Sequence, residues 1–158
     1  MKAASFPISL LFFLFLIASG CSDLTIGPGG SWNITAPPVE GNGPQIRIDN
    51  VFYHENMFGK IIKINVKGTV YNVEHPNSNY KVAIYIRVNG GWWPKPYYAE
   101  RYTKISAKGG WANQVVTGGC DERADAVRVE LHRITPGVGW NEPGEIVATD
   151  IVYKPADR

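Results

Sequence analysis

From Tyr80 to Val88 the chain alternates strictly, with Tyr80, Val82, Ile84, Ile86 and Val88 on one parity and Lys81, Ala83, Tyr85 and Arg87 on the other. A period of two sends these sets to opposite faces of a strand, whereas a helix would spread each set around its circumference. The pattern recurs. Ile62, Ile64, Val66 and Val70 oppose Lys63, Asn65, Lys67 and Thr69, and Val127, Val129 and Leu131 oppose Arg128, Glu130 and His132. Strands of this kind pair as antiparallel sheet with one solvated face, so His132 is expected at the surface. Weaker strand patterns fall at 46–53, 92–98, 101–106, 111–117 and 145–153, and no helical period appears in the chain beyond its N-terminal segment.

The connections read equally clearly. Asn89-Gly90 follows a clean strand and tolerates the positive φ angles of a tight hairpin turn. Lys108-Gly109-Gly110 plays the same part before Trp111, and longer connections span 75–79, 117–122 and 136–144, the last carrying the isolated Trp140. Seven or eight short strands separated by such turns predict an all-β antiparallel β-sandwich, immunoglobulin/fibronectin III-like in general plan. Its core should gather Ile64, Val66, Val82, Ile84, Ile86, Trp111, Val127, Val129 and Leu131.

The N-terminus bears on location. Lys2 precedes an apolar run over 8–17, broken only by Ser9, and Ala18-Ser19-Gly20 then supplies small side chains where a processing peptidase needs clearance. The run is shorter than the roughly 20 apolar residues of a permanent membrane helix. We therefore expect residues 1–20 to be a signal peptide and the rest to be exported. Ile17-Ala18-Ser19-Gly20-Cys21 resembles the lipobox of bacterial lipoproteins, in which cleavage precedes a cysteine that becomes lipid-modified; Ala18 stands where that family commonly has Leu. The resemblance implies lipidation at Cys21 and a membrane-anchored protein of the cell envelope, held stably because several acyl chains anchor where one binds only marginally. The same residues also satisfy a small-x-small cleavage rule at Ala18-x-Gly20. On that reading Cys21 opens a soluble, secreted chain and is able to pair with Cys120, the only other cysteine. Residues 21–44, rich in Gly, Pro, Ser, Thr and Asn, are expected to form a flexible tether, with the sandwich over 45–158.

Charge and cysteine count exclude several classes. The formal net charge of +2 loses Lys2 with the signal, which leaves a balance too even for the basic stripe of a nucleic-acid binder. Two cysteines cannot make a disulfide scaffold or a cysteine-based zinc site. The aromatic bias points the other way. Phe6, Phe12, Phe13 and Phe15 depart with the signal, leaving Phe52 and Phe58 against five Trp and eight Tyr. Rings with a polar handle are favoured where one end must stay wet, as at binding surfaces.

Those rings concentrate in Trp92-Trp93-Pro94-Lys95-Pro96-Tyr97-Tyr98. Adjacent strand residues face opposite ways, so Trp92 and Trp93 cannot both enter the core. The two prolines confine the segment to a sheet edge or loop. At least one ring of each aromatic pair should stand in solvent, beside Lys95, Glu100 and Arg101, in a form that suits the apolar face of a sugar ring. Tyr85, on the polar parity of the preceding strand, shares the outer surface with whichever Trp faces outward. The candidate ligand-binding residues are Trp92, Trp93, Tyr97, Tyr98, Tyr85 and Trp140; the competing reading is that these rings merely pack beneath a neighbouring loop.

The run YKVAIYIRVNGGWWPKPYYAERYTKIS, with the later GGW, GGCDERAD and VRVELHR, resembles a small extracellular β-sandwich module of bacteria, found in secreted polysaccharide-active and cell-surface proteins. The likeness covers roughly residues 60–134. It implies an accessory or binding module and carries no catalytic residues.

Other constellations offer less. Asp121-Glu122-Arg123-Ala124-Asp125 lacks the loop of a calcium site and reads as a solvated turn capped by its own carboxylates. His54, His75 and His132 are scattered, and His54-Glu55 has no second histidine four residues on, so no metal is expected. There is no Gly-x-Ser-x-Gly, phosphate loop or placed cysteine–histidine pair. We expect no enzyme, no catalytic residue and no cofactor. The expectation is a monomeric, non-catalytic envelope module that recognises polysaccharide through an aromatic edge. The alternative is a structural lipoprotein that docks an envelope protein and binds no sugar.

Overall fold

The computed structural model describes residues 26–32, 34, 40–58, 60–115 and 121–155. Among them the chain is all-β, with nine strands in two antiparallel sheets: β1 (Ile26–Ser31), β2 (Gln45–Asn56), β3 (Ile61–Tyr71), β4 (Tyr80–Val88), β5 (Gly91–Lys95), β6 (Tyr102–Thr103), β7 (Gly110–Gln114), β8 (Ala126–Arg133) and β9 (Glu145–Tyr153). One sheet runs β1-β2-β3-β7 and the other β5-β4-β8-β9, with β6 paired to β4. A single apolar core drawn from both sheets lies between them.

The alternation does what it dictates. Val82, Ile84, Ile86, Val127, Val129, Leu131, Ile64, Val66 and Trp111 are all buried. Truncating one of the Leu or Ile members to Ala removes apolar contact and leaves a cavity, a loss of about 2–5 kcal/mol. Gly68 lies opposite Trp111, and a Cβ there would overlap both the Trp111 ring and the Arg47 carbonyl, so the tryptophan occupies space that any other residue would fill. Asn89 and Gly90 both take positive φ, as the β4–β5 hairpin requires.

Two expectations are corrected. Residues 26–32 fall within the tether that composition predicts, but β1 pairs with β2 and Trp32 is 2% exposed in the core. This is also the strand beyond the expected eight. The Gly-rich stretch hides it because Gly29 and Gly30 bring no alternation while lying close against Tyr53 and His54. At the start of β3, Ile61 is buried and Ile62 is not, because a bulge near His54 shifts the register and rotates the strand end. The expected signal segment, Cys21 and Cys120 lie outside the described residues. Among the described residues no helix is long and apolar enough to cross a membrane.

Candidate functional site

β4 and β5 set the aromatic residues by register. Trp92 pairs with Arg87 and Pro94 with Tyr85, so these four share the outer face of their sheet, whereas Trp93 pairs with the buried Ile86 and lies on the core side. Exposure runs against that assignment. Trp93 is 58% exposed, because β5 is an edge strand and the ring overhangs the rim of the core. Trp92 is half-buried because the Arg128 guanidinium lies 4.7 Å from its ring centroid and 4.6 Å from that of Tyr85. Arg128 is set between the two rings from β8, opposite Tyr85, and its Nε lies 3.2 Å from Glu130 Oε1. Cation–π contact of this kind occupies a ring face that a sugar would otherwise use.

Tyr97 is 59% exposed just after a cis Lys95–Pro96 bond, and the backbone of Tyr98 opens a short 3₁₀ turn over Tyr98–Glu100. Trp140, 36% exposed, belongs to the far end of the same outer face as Tyr85. Its ring lies 5.6 Å from Lys81 Nζ, and the Lys81 ammonium donates to the Trp140 and Glu142 carbonyls. The candidate residues thus separate into three places: Tyr85 and Trp92 clamped by Arg128, Trp140 over Lys81, and Trp93 with Tyr97 exposed at or beyond the edge strand.

Of the neighbours expected beside the exposed rings, Glu100 is exposed but Lys95 is not. Lys95 pairs with Ile84 on the core side, is 7% exposed, and forms an ion pair with Asp121, itself 8% exposed. The acidic segment is therefore no solvated turn. Asp121 takes Lys95, Glu122 lies 3.1 Å from Lys60, and Asp125 accepts two hydrogen bonds from Arg87 at 2.7 and 3.1 Å. Each carboxylate ties a different element to the start of β8.

His132 is also corrected. It is 4% exposed, with Nδ1 3.1 Å from the Gly144 carbonyl, Nε2 3.2 Å from Glu130 Oε2, and its ring edge-on to Tyr102 at 5.2 Å. The loop over 135–144 and Tyr102 of β6 cover this end of the outer face. Gly144 permits the close approach, since a Cβ there would meet the Arg133 carbonyl at 1.9 Å. Sealing the cluster shifts its titrations. Burial raises the Tyr85 phenol, helped by the charge of Glu130 and the hydrogen bond Tyr85 donates to it. Burial raises Tyr102 as well, and burial with the nearby Arg101 charge lowers Lys81. Sequence parity marks Lys81, Tyr85, Glu130 and His132 as polar-facing but carries no sign of what lies on them.

Among the described residues no group of three or more His, Cys, Asp or Glu is placed to hold a metal ion. No family model, no curated protein and no solved structure matches this chain.

Proposed function

We propose that this protein is a non-catalytic binding module of the cell envelope that recognises carbohydrate through the edge formed by β5 and the turn after it. The observation that carries the reading is the exposure of Trp93 and Tyr97, each more than half in solvent at a sheet margin. A flat ring free on one face stacks on the apolar face of a sugar, by analogy with bases on aromatics at about 1–3 kcal/mol per ring. Such binding is weak singly. It becomes useful when a lipidated Cys21, exported by the N-terminal signal, presents many copies on one membrane surface. Within this reading the finer fold is immunoglobulin-like: taking β2, β3 and β7 as A, B and E, and β4, β5, β8 and β9 as C, C′, F and G, the two sheets read A-B-E and C′-C-F-G.

One observation favours a protein partner instead. Ile146, Ile151 and Tyr153 of the edge strand β9 are 52, 40 and 56% exposed, and long apolar edges invite another chain. Retention on insoluble cell-wall and plant polysaccharides decides between the two. Trp93→Ala and Tyr97→Ala should each keep the wild-type melting temperature and lose retention. A wild-type protein that no neutral glycan retains, or variants retained like wild type, would overturn the carbohydrate edge.

A further inference from the structure

Among the described residues a continuous hollow lies on the sheet opposite that edge. It crosses the outer face of the β1-β2-β3-β7 sheet as three adjoining depressions of about 660, 330 and 450 Å³. The first and second share Lys67 and Ala112, and the second and third share Phe52 and Asn65, so the three form one trough. Its floor follows from the register. Ser31, Phe52, Asn65 and Gln114 stand side by side in one row across four strands, and Lys67 and Ala112 stand together in the next. With strands about 4.8 Å apart, such a row is about 14 Å wide. Ala112 and Gly110 keep the bed low at one margin.

The chemistry of this bed selects a ligand. Phe52 is 41% exposed and gives one flat ring in the middle of the row. Ser31 and Asn65 flank it with a hydroxyl and an amide, each able to donate and accept hydrogen bonds. Protein-docking surfaces are instead depleted of charge at their centre and rich in apolar anchors. One ring among amides and hydroxyls is the complement of a polyhydroxylated chain. Charge narrows the choice further. Among the residues lining the trough Lys67 and Lys104 are cations, and the sole carboxylate, Asp49, already accepts a hydrogen bond from the Thr69 hydroxyl at 2.6 Å. The Lys67 ammonium stands over the Phe52 ring, 5.3 Å from its centroid, so a sugar stacks on that face only once a carboxylate has drawn the ammonium aside.

We propose that this trough is a second glycan site, separate from the β5 edge, and that it takes an anionic polysaccharide with carboxylates on its sugar rings. It rests on the reading above for the class of ligand. Phe52 stacks on a ring, Lys67 and Lys104 meet carboxylates along the chain, and the amides read hydroxyls.

The test titrates the full-length exported protein with polygalacturonate, with the same polymer fully methyl-esterified, and with a neutral glucan. Polygalacturonate should bind, lose affinity as salt screens the lysines, and bind far better than its esterified form. Lys67→Gln and Phe52→Ala should each weaken it about tenfold, while Arg133→Gln, which removes an exposed cation of the other sheet, leaves it unchanged. Lys67 is exposed, so its variant remains folded even if Phe52→Ala does not. Failure of wild type to bind polygalacturonate, or unweakened binding by Lys67→Gln, overturns the trough. Neutral glucan held through Trp93 with polygalacturonate ignored leaves the β5 edge standing alone. Polygalacturonate held through Lys67 with every neutral glycan ignored keeps the trough and removes the edge.

Discussion

On the outer face of the β1-β2-β3-β7 sheet Lys67 stands in solvent and Lys63 half so, while on the outer face of the opposite sheet Lys81, Glu130 and His132 are 2, 8 and 4% exposed. Both faces carry alternating polar residues, and both sheets present their apolar side to one core. They differ in what crosses them. The first face lies open as a trough. Over much of the second, the 135–144 loop and Tyr102 form a partial third layer, supplying carbonyls to Lys81 and His132 and an aromatic ring to each. A lysine or glutamate is almost never fully buried unless paired; here Lys81 is met by carbonyls of the distant 135–144 loop, whereas Glu130 is met by Arg128 and His132 of its own strand. Polar parity therefore says only that a side chain leaves the core.

The comparison breaks most visibly at Glu130. Replacing it with Ala strips Arg128 and His132 of their buried carboxylate and should cost about 3–5 kcal/mol in urea unfolding. A cost under about 1 kcal/mol would mean that this face is as wet as its counterpart.

Alkaline pH sharpens it next. Tyr85 and Tyr102 have pKa values raised above the ordinary 10.0, so the fold favours the neutral phenols. Their contribution is complete below pH 10 and is lost as pH rises through the folded values. Lys81, lowered from 10.5, works in the opposite sense, since the fold disfavours its charge and gains stability as pH climbs toward 10.5. Net loss should therefore begin only above about pH 10. Tyr85→Phe should be less stable than wild type at pH 8, where it lacks the hydrogen bond to Glu130, and the gap should narrow above pH 10. Parallel stability curves across that range would place the phenol in solvent.

The smallest effect belongs to the open face. Lys63→Ala should change unfolding free energy by no more than about 0.5 kcal/mol. A loss comparable to that of Glu130→Ala would show that this face is covered at Lys63.

Much of this architecture was readable in advance, and the failures have physical causes. β4 and β9 fall at the expected residues, 80–88 and 145–153, because unbroken alternation or firm turns leave one register. β1 was not readable, since Gly-Pro-Gly-Gly carries no apolar–polar alternation and its pairing depends on the shape of β2. Adjacency of Trp92 and Trp93 required opposite faces, and they have them. Which ring is wet was beyond the pattern: Arg128 arrives from β8 to cover the outward one, and an edge position uncovers the inward one.

Sequence alone determined the all-β class, the two-sided strands and the identity of most core residues. These follow from the period-two pleat, which acts between neighbours along the chain. Tertiary structure alone decided that Lys95 and Asp121 pair in the interior, that His132 is sealed, and that Phe52 lies in a trough with Lys67. Each of these depends on which distant segment comes to rest on a given face. A strand specifies the direction in which its side chains point, and only packing specifies what they meet.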